Sequence, residues 1–197
     1  MSATLVSIIG PPAVGKTTLA DALAGRLSGT LIHEDYAGNP FLAESYTGAD
    51  SSRLPSQLYF LLSRVDQLWE ATWPDSGWMI CDYGFCQDAI YARNRLSVTD
   101  FAVYEKAAER LNALVHPPEL VINLFAEIDT LLERVARRGR DYEAVFDEPF
   151  LRSMQEAYAG LVDHFDCPVL QIDCDRVDIR TDAAQQSILA DVLEAVK

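Results

Sequence analysis

Residues 10–17 read Gly10-Pro11-Pro12-Ala13-Val14-Gly15-Lys16-Thr17, and they sit between an apolar run and an amphipathic one. Upstream, Leu5-Val6-Ser7-Ile8-Ile9 has the composition of a buried strand, while downstream Leu19, Leu23 and Leu27 recur at the four-residue spacing of a helix. A strand that feeds a helix through such a loop points to an α/β architecture. Backbone N–H groups in a loop of this kind curl around phosphate oxygens at the positive end of the following helix. Lys16 can reach the outer phosphates of a nucleotide, and the Thr17 hydroxyl is placed to ligate Mg²⁺. Gly10, Ala13, Val14, Gly15, Lys16, Thr17 and Thr18 are therefore the candidate phosphate contacts.

At 197 residues and 49% hydrophobic content, the chain can bury a full core and reads as one domain over residues 1–197. Its formal charge of −14 argues against a nucleic-acid polymer or an anionic membrane as partner. A nucleotide stays compatible, because the loop and Lys16 supply local positive potential. No stretch approaches the roughly 20 apolar residues of a membrane-spanning helix, and Met1–Thr4 lack the basic region of a signal peptide, so the expected location is cytoplasmic. Cys81, Cys86, Cys167 and Cys174 show no Cys-x-x-Cys spacing, and His33, His116 and His164 are scattered; structural thiols are expected rather than zinc ligands.

Strand-like runs recur at Leu5–Ile9, Thr30–His33, Trp78–Cys81, Leu120–Phe125 and Val169–Ile172. Helical stripes fill the intervals. One runs from Leu54 to Trp69, and a second opens on the capping box Ser97-Val98-Thr99-Asp100 and continues to about Val115. Others cover Gly84–Ala92, Leu131–Val135 with Asp129 as N-cap, Leu151–Val162 and Ile188–Val196. Alternation of this kind predicts a five-stranded parallel sheet flanked by helices, with ligands at the carboxyl ends of the strands.

Carboxylates follow two of those ends: Glu34 and Asp35 after the second strand, Asp82 after the third. Phosphoryl transfer to a hydroxyl needs a base near the acceptor and a route to anchor Mg²⁺. Gln57 and Arg64 lie seven residues apart, on one helix face. The amide can read a base edge, and the arginine can be held by a carboxylate such as Asp88. The run Arg134-Val135-Ala136-Arg137-Arg138-Gly139-Arg140 is the dense basic cluster of an acidic chain, and it reads as a lid closing over the transferring phosphoryl group, with Arg137 facing solvent.

With these segments in hand, the sequence resembles the deoxynucleoside kinase family, and in particular its bacterial deoxyadenosine and deoxyguanosine kinases. The resemblance is carried by the loop 10–17, by Glu34 with Asn39-Pro40-Phe41-Leu42 and Tyr46, and by Gln57-Leu58-Tyr59-Phe60-Leu61-Leu62-Ser63-Arg64. It continues through Asp82, Asp88, Phe101, Tyr104-Glu105, Pro118–Ile122, Leu131–Arg140 and Tyr142-Glu143. It implies a P-loop three-layer fold with a small arginine-rich lid at about 138–146, an ATP donor, Mg²⁺ and a homodimer. Glu34 matches the base that takes the 5′-hydroxyl proton, with Asp35 its one-residue-shifted competitor. Gln57, Arg64 and Asp88 match the base-reading set, and Tyr46 and Glu143 match readers of the 3′-hydroxyl. Arg134, Arg138 and Arg140 match the lid arginines, while Thr17 and Asp82 would deal with the metal, Asp82 also bordering the substrate.

One departure stands out. Many members carry an arginine and a serine after the acidic residue of the third strand, where this chain has Asp82-Tyr83-Gly84. The leading expectation is a kinase acting on the 5′-hydroxyl of a deoxynucleoside, purine preferred from the resemblance alone. The alternatives are a nucleoside-monophosphate kinase, such as a thymidylate kinase, and a non-catalytic nucleotide-binding protein. Between Glu34 and Arg64 only Arg53 and Arg64 are cations, which favours an uncharged acceptor.

Overall fold

The computed structural model describes residues 2–48 and 50–197. Five strands, β1 (Thr4–Ile9), β2 (Thr30–Ile32), β3 (Trp78–Cys81), β4 (Leu120–Phe125) and β5 (Val169–Asp173), form one sheet in the order β2-β3-β1-β4-β5. Every pairing is parallel, with Val6 opposite Ile80 on one side and opposite Leu120 on the other. β1 and β4 read as nearly continuous apolar runs because helices cover both faces of the sheet. Val6, Ile8, Leu19, Leu23, Ile80, Ile122 and Leu131 pack into the largest core cluster.

The helices are α1 (Lys16–Leu27), α2 (Leu42–Thr47), α3 (Arg53–Gln67), α4 (Gln87–Arg95), α5 (Val98–Asn112), α6 (Ile128–Arg138), α7 (Glu148–Leu161) and α8 (Asp182–Ala195). β1 lies between β3 and β4, with the chain running to the β2–β3 side first and then crossing to β4, so the switch point of the sheet lies beside β1, where residues 10–17 emerge.

Ser97 caps α5 as the sequence predicts, its hydroxyl accepting from Asp100 N–H at 3.1 Å. Several boundaries differ from expectation, each for a local reason. α3 stops at Gln67, because Trp69 pairs with Val115 in an isolated antiparallel bridge and His116 N–H donates to the Leu68 carbonyl at 2.8 Å. The same contacts end α5 at Asn112, short of Val115. Asp129 is not the N-cap of α6: Glu127 holds that position, pinned by its N–H to Asp175, and Asp129 lies in the first turn. Residues 84–86 turn before α4, with Gln87 N–H bonded to the Gly84 carbonyl at 3.0 Å. β2 ends at Ile32, leaving His33 outside the strand.

Candidate active site

The loop after β1 depends on backbone conformations open chiefly to glycine. Gly10 has φ 140°, and a Cβ there would lie 2.4 Å from the Leu124 carbonyl oxygen of the neighbouring strand. Gly15 has φ 120°, and even Ala13 sits in the left-handed region at φ 62°. Residues 12–18 wrap one end of a cavity of about 810 Å³, with α1 beginning at Lys16. Gly10 stays behind the loop, shaping it without lining the cavity.

The Lys16 ammonium folds back to donate to the carbonyls of Gly10 at 2.8 Å and Pro11 at 3.0 Å. Burial lowers its pKa to about 7, helped by Arg138 and Arg64 and opposed by Asp82. Burial thus disfavours the charged form of this lysine, and a bound triphosphate would favour it. Nucleotide binding at pH 8 is expected to be accompanied by proton uptake. Calorimetry in buffers of different ionisation enthalpy measures this directly, and the uptake should disappear in Lys16→Met.

Behind the loop, Thr17 Oγ1 donates to Asp82 Oδ2 at 2.6 Å. The same carboxylate contacts His33 Nδ1 at 3.1 Å and accepts from Glu34 N–H at 2.9 Å. Asp82 is 4% exposed and reaches the cavity through these neighbours rather than lining it. A hydroxyl and a carboxylate side by side suit Mg²⁺, which is held by one or two protein oxygens together with substrate phosphates. Among the described residues, no group of three or more His, Cys, Asp or Glu is placed to hold a metal by itself.

The other half of the cavity is lined by Glu34, Tyr36, Tyr46, Gln57, Arg64 and Asp88. Arg64 is the hub: its two terminal nitrogens form ion pairs with Glu34 and Asp88, and all three side chains are at most 7% exposed. Gln87 donates to Glu34 Oε1 at 3.2 Å and accepts from the Tyr158 hydroxyl at 3.2 Å. Asp35 belongs to a different environment. Its carboxylate accepts from Tyr59 Oη at 2.6 Å and Gly38 N–H at 2.8 Å, which holds its pKa below the usual value, and it does not line the cavity. Gln57 Oε1 and Asp88 Oδ2 are buried acceptors with no donor among the described residues.

The basic run divides into two groups. Arg134 donates to the carbonyls of Val14 at 2.9 Å and Cys174 at 3.1 Å, tying α6 to the phosphate loop. Arg138 forks onto Glu143, and Arg140 contacts Tyr142 Oη at 3.0 Å and Glu143 at 3.4 Å. Glu143 is 3% exposed, in a short 3₁₀ helix over Asp141–Val145. Tyr46 on α2 packs against Tyr142 and Phe146 with ring centroids 5.8 and 5.2 Å apart, and burial pushes its hydroxyl up to about 12. Arg137 is exposed at the rim.

The family model "Deoxynucleoside kinase" matches residues 6–197. The chain belongs to the deoxynucleoside kinase family. Among its relatives, the deoxyguanosine kinase of Bacillus subtilis (strain 168) is 28% identical over 185 residues, covering 90% of this chain and 89% of that one. The deoxyadenosine/deoxycytidine kinase of the same organism is 24% identical, covering 98% and 93%. A solved deoxyadenosine kinase from M. mycoides superposes with a TM-score of 0.82 at 21% identity, covering 98% of this chain and 100% of that one; it shares the fold.

Not every residue of the kinase's site was visible in its sequence. Gln87 carried no signal beyond its place beside Asp88, and Tyr36, Phe60 and Tyr91 were given no site role by the sequence, yet all three line the cavity. Cys174, Asp175 and Ile179, at the far end of β5, close the cavity near the loop. Their placement after a strand end was the one available clue.

Proposed function

We propose that this kinase transfers the γ-phosphoryl group of ATP to the 5′-hydroxyl of a deoxynucleoside, with a purine preferred. The observation that carries this reading is the charge balance of the acceptor half. Arg64, the cation at its centre, is already paired with two carboxylates, and Arg140 over the Tyr36 ring is paired with Glu143. A nucleoside-monophosphate acceptor would bring a phosphate that Arg64, held by Glu34 and Asp88, is not free to balance, whereas an uncharged sugar hydroxyl needs only a base.

Glu34 is the candidate base, facing the cavity where Asp35 does not. In-line attack on the phosphoryl group needs mainly positioning and charge stabilisation. The backbone of residues 12–18 and Lys16 would hold the triphosphate, in a loop that Gly10 shapes from behind, and Arg134, Arg138 and Arg140 would face the transferring group as the segment 138–146 closes. Thr17 and Asp82 would hold Mg²⁺, which when bound neutralises phosphate charge. Tyr46 and Glu143 would take the 3′-hydroxyl. Gln57 and Asp88 each present a buried, unpartnered acceptor oxygen, which suits a base edge bearing an exocyclic amine. The names of the deoxyguanosine and deoxyadenosine kinases among the relatives agree with a purine. We also infer a homodimer, which would cover Leu62 on α3 and Val103 on α5, 57% and 52% exposed. A cytoplasmic location fits the fact that, among the described residues, no helix is long and apolar enough to cross a membrane.

The test is incubation of purified protein with ATP and Mg²⁺ and, separately, deoxyadenosine, deoxyguanosine, deoxycytidine, thymidine and thymidine monophosphate. Monophosphate is expected from the purine deoxynucleosides first and from thymidine least. Diphosphate formed only from thymidine monophosphate would overturn the reading in favour of a nucleoside-monophosphate kinase. ATP binding without transfer to any acceptor would indicate a non-catalytic binding protein.

A further inference from the structure

Tyr83 occupies the position at which the resemblance leads one to expect an arginine, directly after Asp82, and it is fully buried. Its ring meets the hub of the acceptor half: the Arg64 guanidinium carbon lies 5.0 Å from the Tyr83 ring centroid and 5.4 Å from that of Phe60. The Tyr83 hydroxyl donates to Gln67 Oε1 at 2.5 Å, and Gln67 Nε2 donates to the His33 carbonyl at 2.9 Å. These contacts close a circuit from the backbone just before Glu34, through Gln67, Tyr83 and Arg64, to the Glu34 carboxylate. Arg64 Nε is buried without a partner among the described residues. Only the two terminal nitrogens are therefore anchored by hydrogen bonds, and they are pulled by different carboxylates. A planar cation held at two points can still tilt about the line joining them, and an aromatic face opposes that tilt.

We propose that Tyr83 is a positioning residue that keeps Arg64 flat between Glu34 and Asp88, so that one arginine sets the orientation of both carboxylates. The proposal rests on the reading of Glu34 as base and Asp88 as nucleobase contact. It accounts for how the site works with an aromatic residue where a second cation is expected: Tyr83 adds no charge and instead fixes the charge already present. With a single guanidinium shared between the two carboxylates, a displacement at Asp88 is transmitted to Glu34.

The deciding measurement compares steady-state constants of the wild type, Tyr83→Met, which keeps apolar bulk without a ring, and Tyr83→Phe, which keeps the ring. Tyr83→Met is expected to lower kcat about 10-fold and to raise KM for the deoxynucleoside, with KM for ATP within about twofold of the wild type. Tyr83→Phe should recover kcat to within about threefold, because the ring still faces Arg64. In an Arg64→Lys background, Tyr83→Met should add no more than about a further twofold, since it acts through that arginine. Unchanged kcat in Tyr83→Met, or an equal loss in both backgrounds, overturns the proposal. Should Tyr83→Met not fold, Tyr83→Leu takes its place with the same expectations, and an unchanged kcat overturns the idea. A wild type that forms no monophosphate sinks the underlying kinase reading as well. A fully active wild type with an indifferent Tyr83→Met sinks this inference alone.

Discussion

Glu34→Gln is expected to lower kcat by about 10²-fold or more while leaving ATP affinity unchanged, because a general base acts in the transition state rather than in nucleotide binding. The amide is nearly isosteric and can still accept from Arg64 and from Gln87, which donates to the wild-type carboxylate at 3.2 Å, so the geometry of the acceptor half should survive. What it loses is the capacity to take a proton. Asp35→Asn is the paired control. Its carboxylate is occupied by the Tyr59 hydroxyl and Gly38 N–H outside the cavity, so turnover should change little. A large loss in Asp35→Asn beside an active Glu34→Gln would reverse the assignment of the two carboxylates. Single-turnover kinetics with saturating ATP separates the chemical step from binding.

Arg64→Met is expected to cost both stability and turnover. Removing this cation leaves Glu34 and Asp88, 7% and 3% exposed in their side chains, as buried carboxylates without a counter-charge. Breaking a buried pair from one side typically costs about 3–5 kcal/mol, and here two partners are orphaned by one substitution. Urea unfolding at neutral pH measures that loss. Turnover should fall by about 10²-fold or more, because small displacements of a positioned group are that costly. Arg152→Met is the comparison: its partner Glu148 and Arg152 itself are both more than half exposed, and its unfolding midpoint should match the wild type. If Arg64→Met unfolds at the wild-type urea concentration, the buried hub does not hold the acceptor half together.

How much of this was legible beforehand depends on the range of the interaction concerned. The phosphate loop was readable residue by residue, since its function lies in backbone N–H groups and in two glycines whose φ angles of 140° and 120° other residues rarely adopt. The strands were readable because parallel strands buried on both faces become apolar runs, and observed bounds differ from expected ones by a residue at most. Helix ends were less so. α3 and α5 each stop early because Trp69 and Val115, 46 positions apart in the chain, pair with one another, and no local pattern encodes that bridge. Asp129 looked like a cap, but the N–H of Glu127 found Asp175 on another loop and shifted the start of α6.

The sequence by itself determined the sheet-and-helix class, the loop that meets phosphate, and a short set of polar residues after strand ends, since all of these follow from local periodicity and backbone chemistry. Only the tertiary structure decided which of the adjacent residues Glu34 and Asp35 faces the cavity, that Arg64 bridges two carboxylates rather than one, and that Tyr83 lies against it. Neighbouring side chains at a strand end point in different directions, and the partners of a buried charge come from segments 24 and 30 residues away. Those choices are made by packing, which satisfies a charge wherever a counter-charge can reach it.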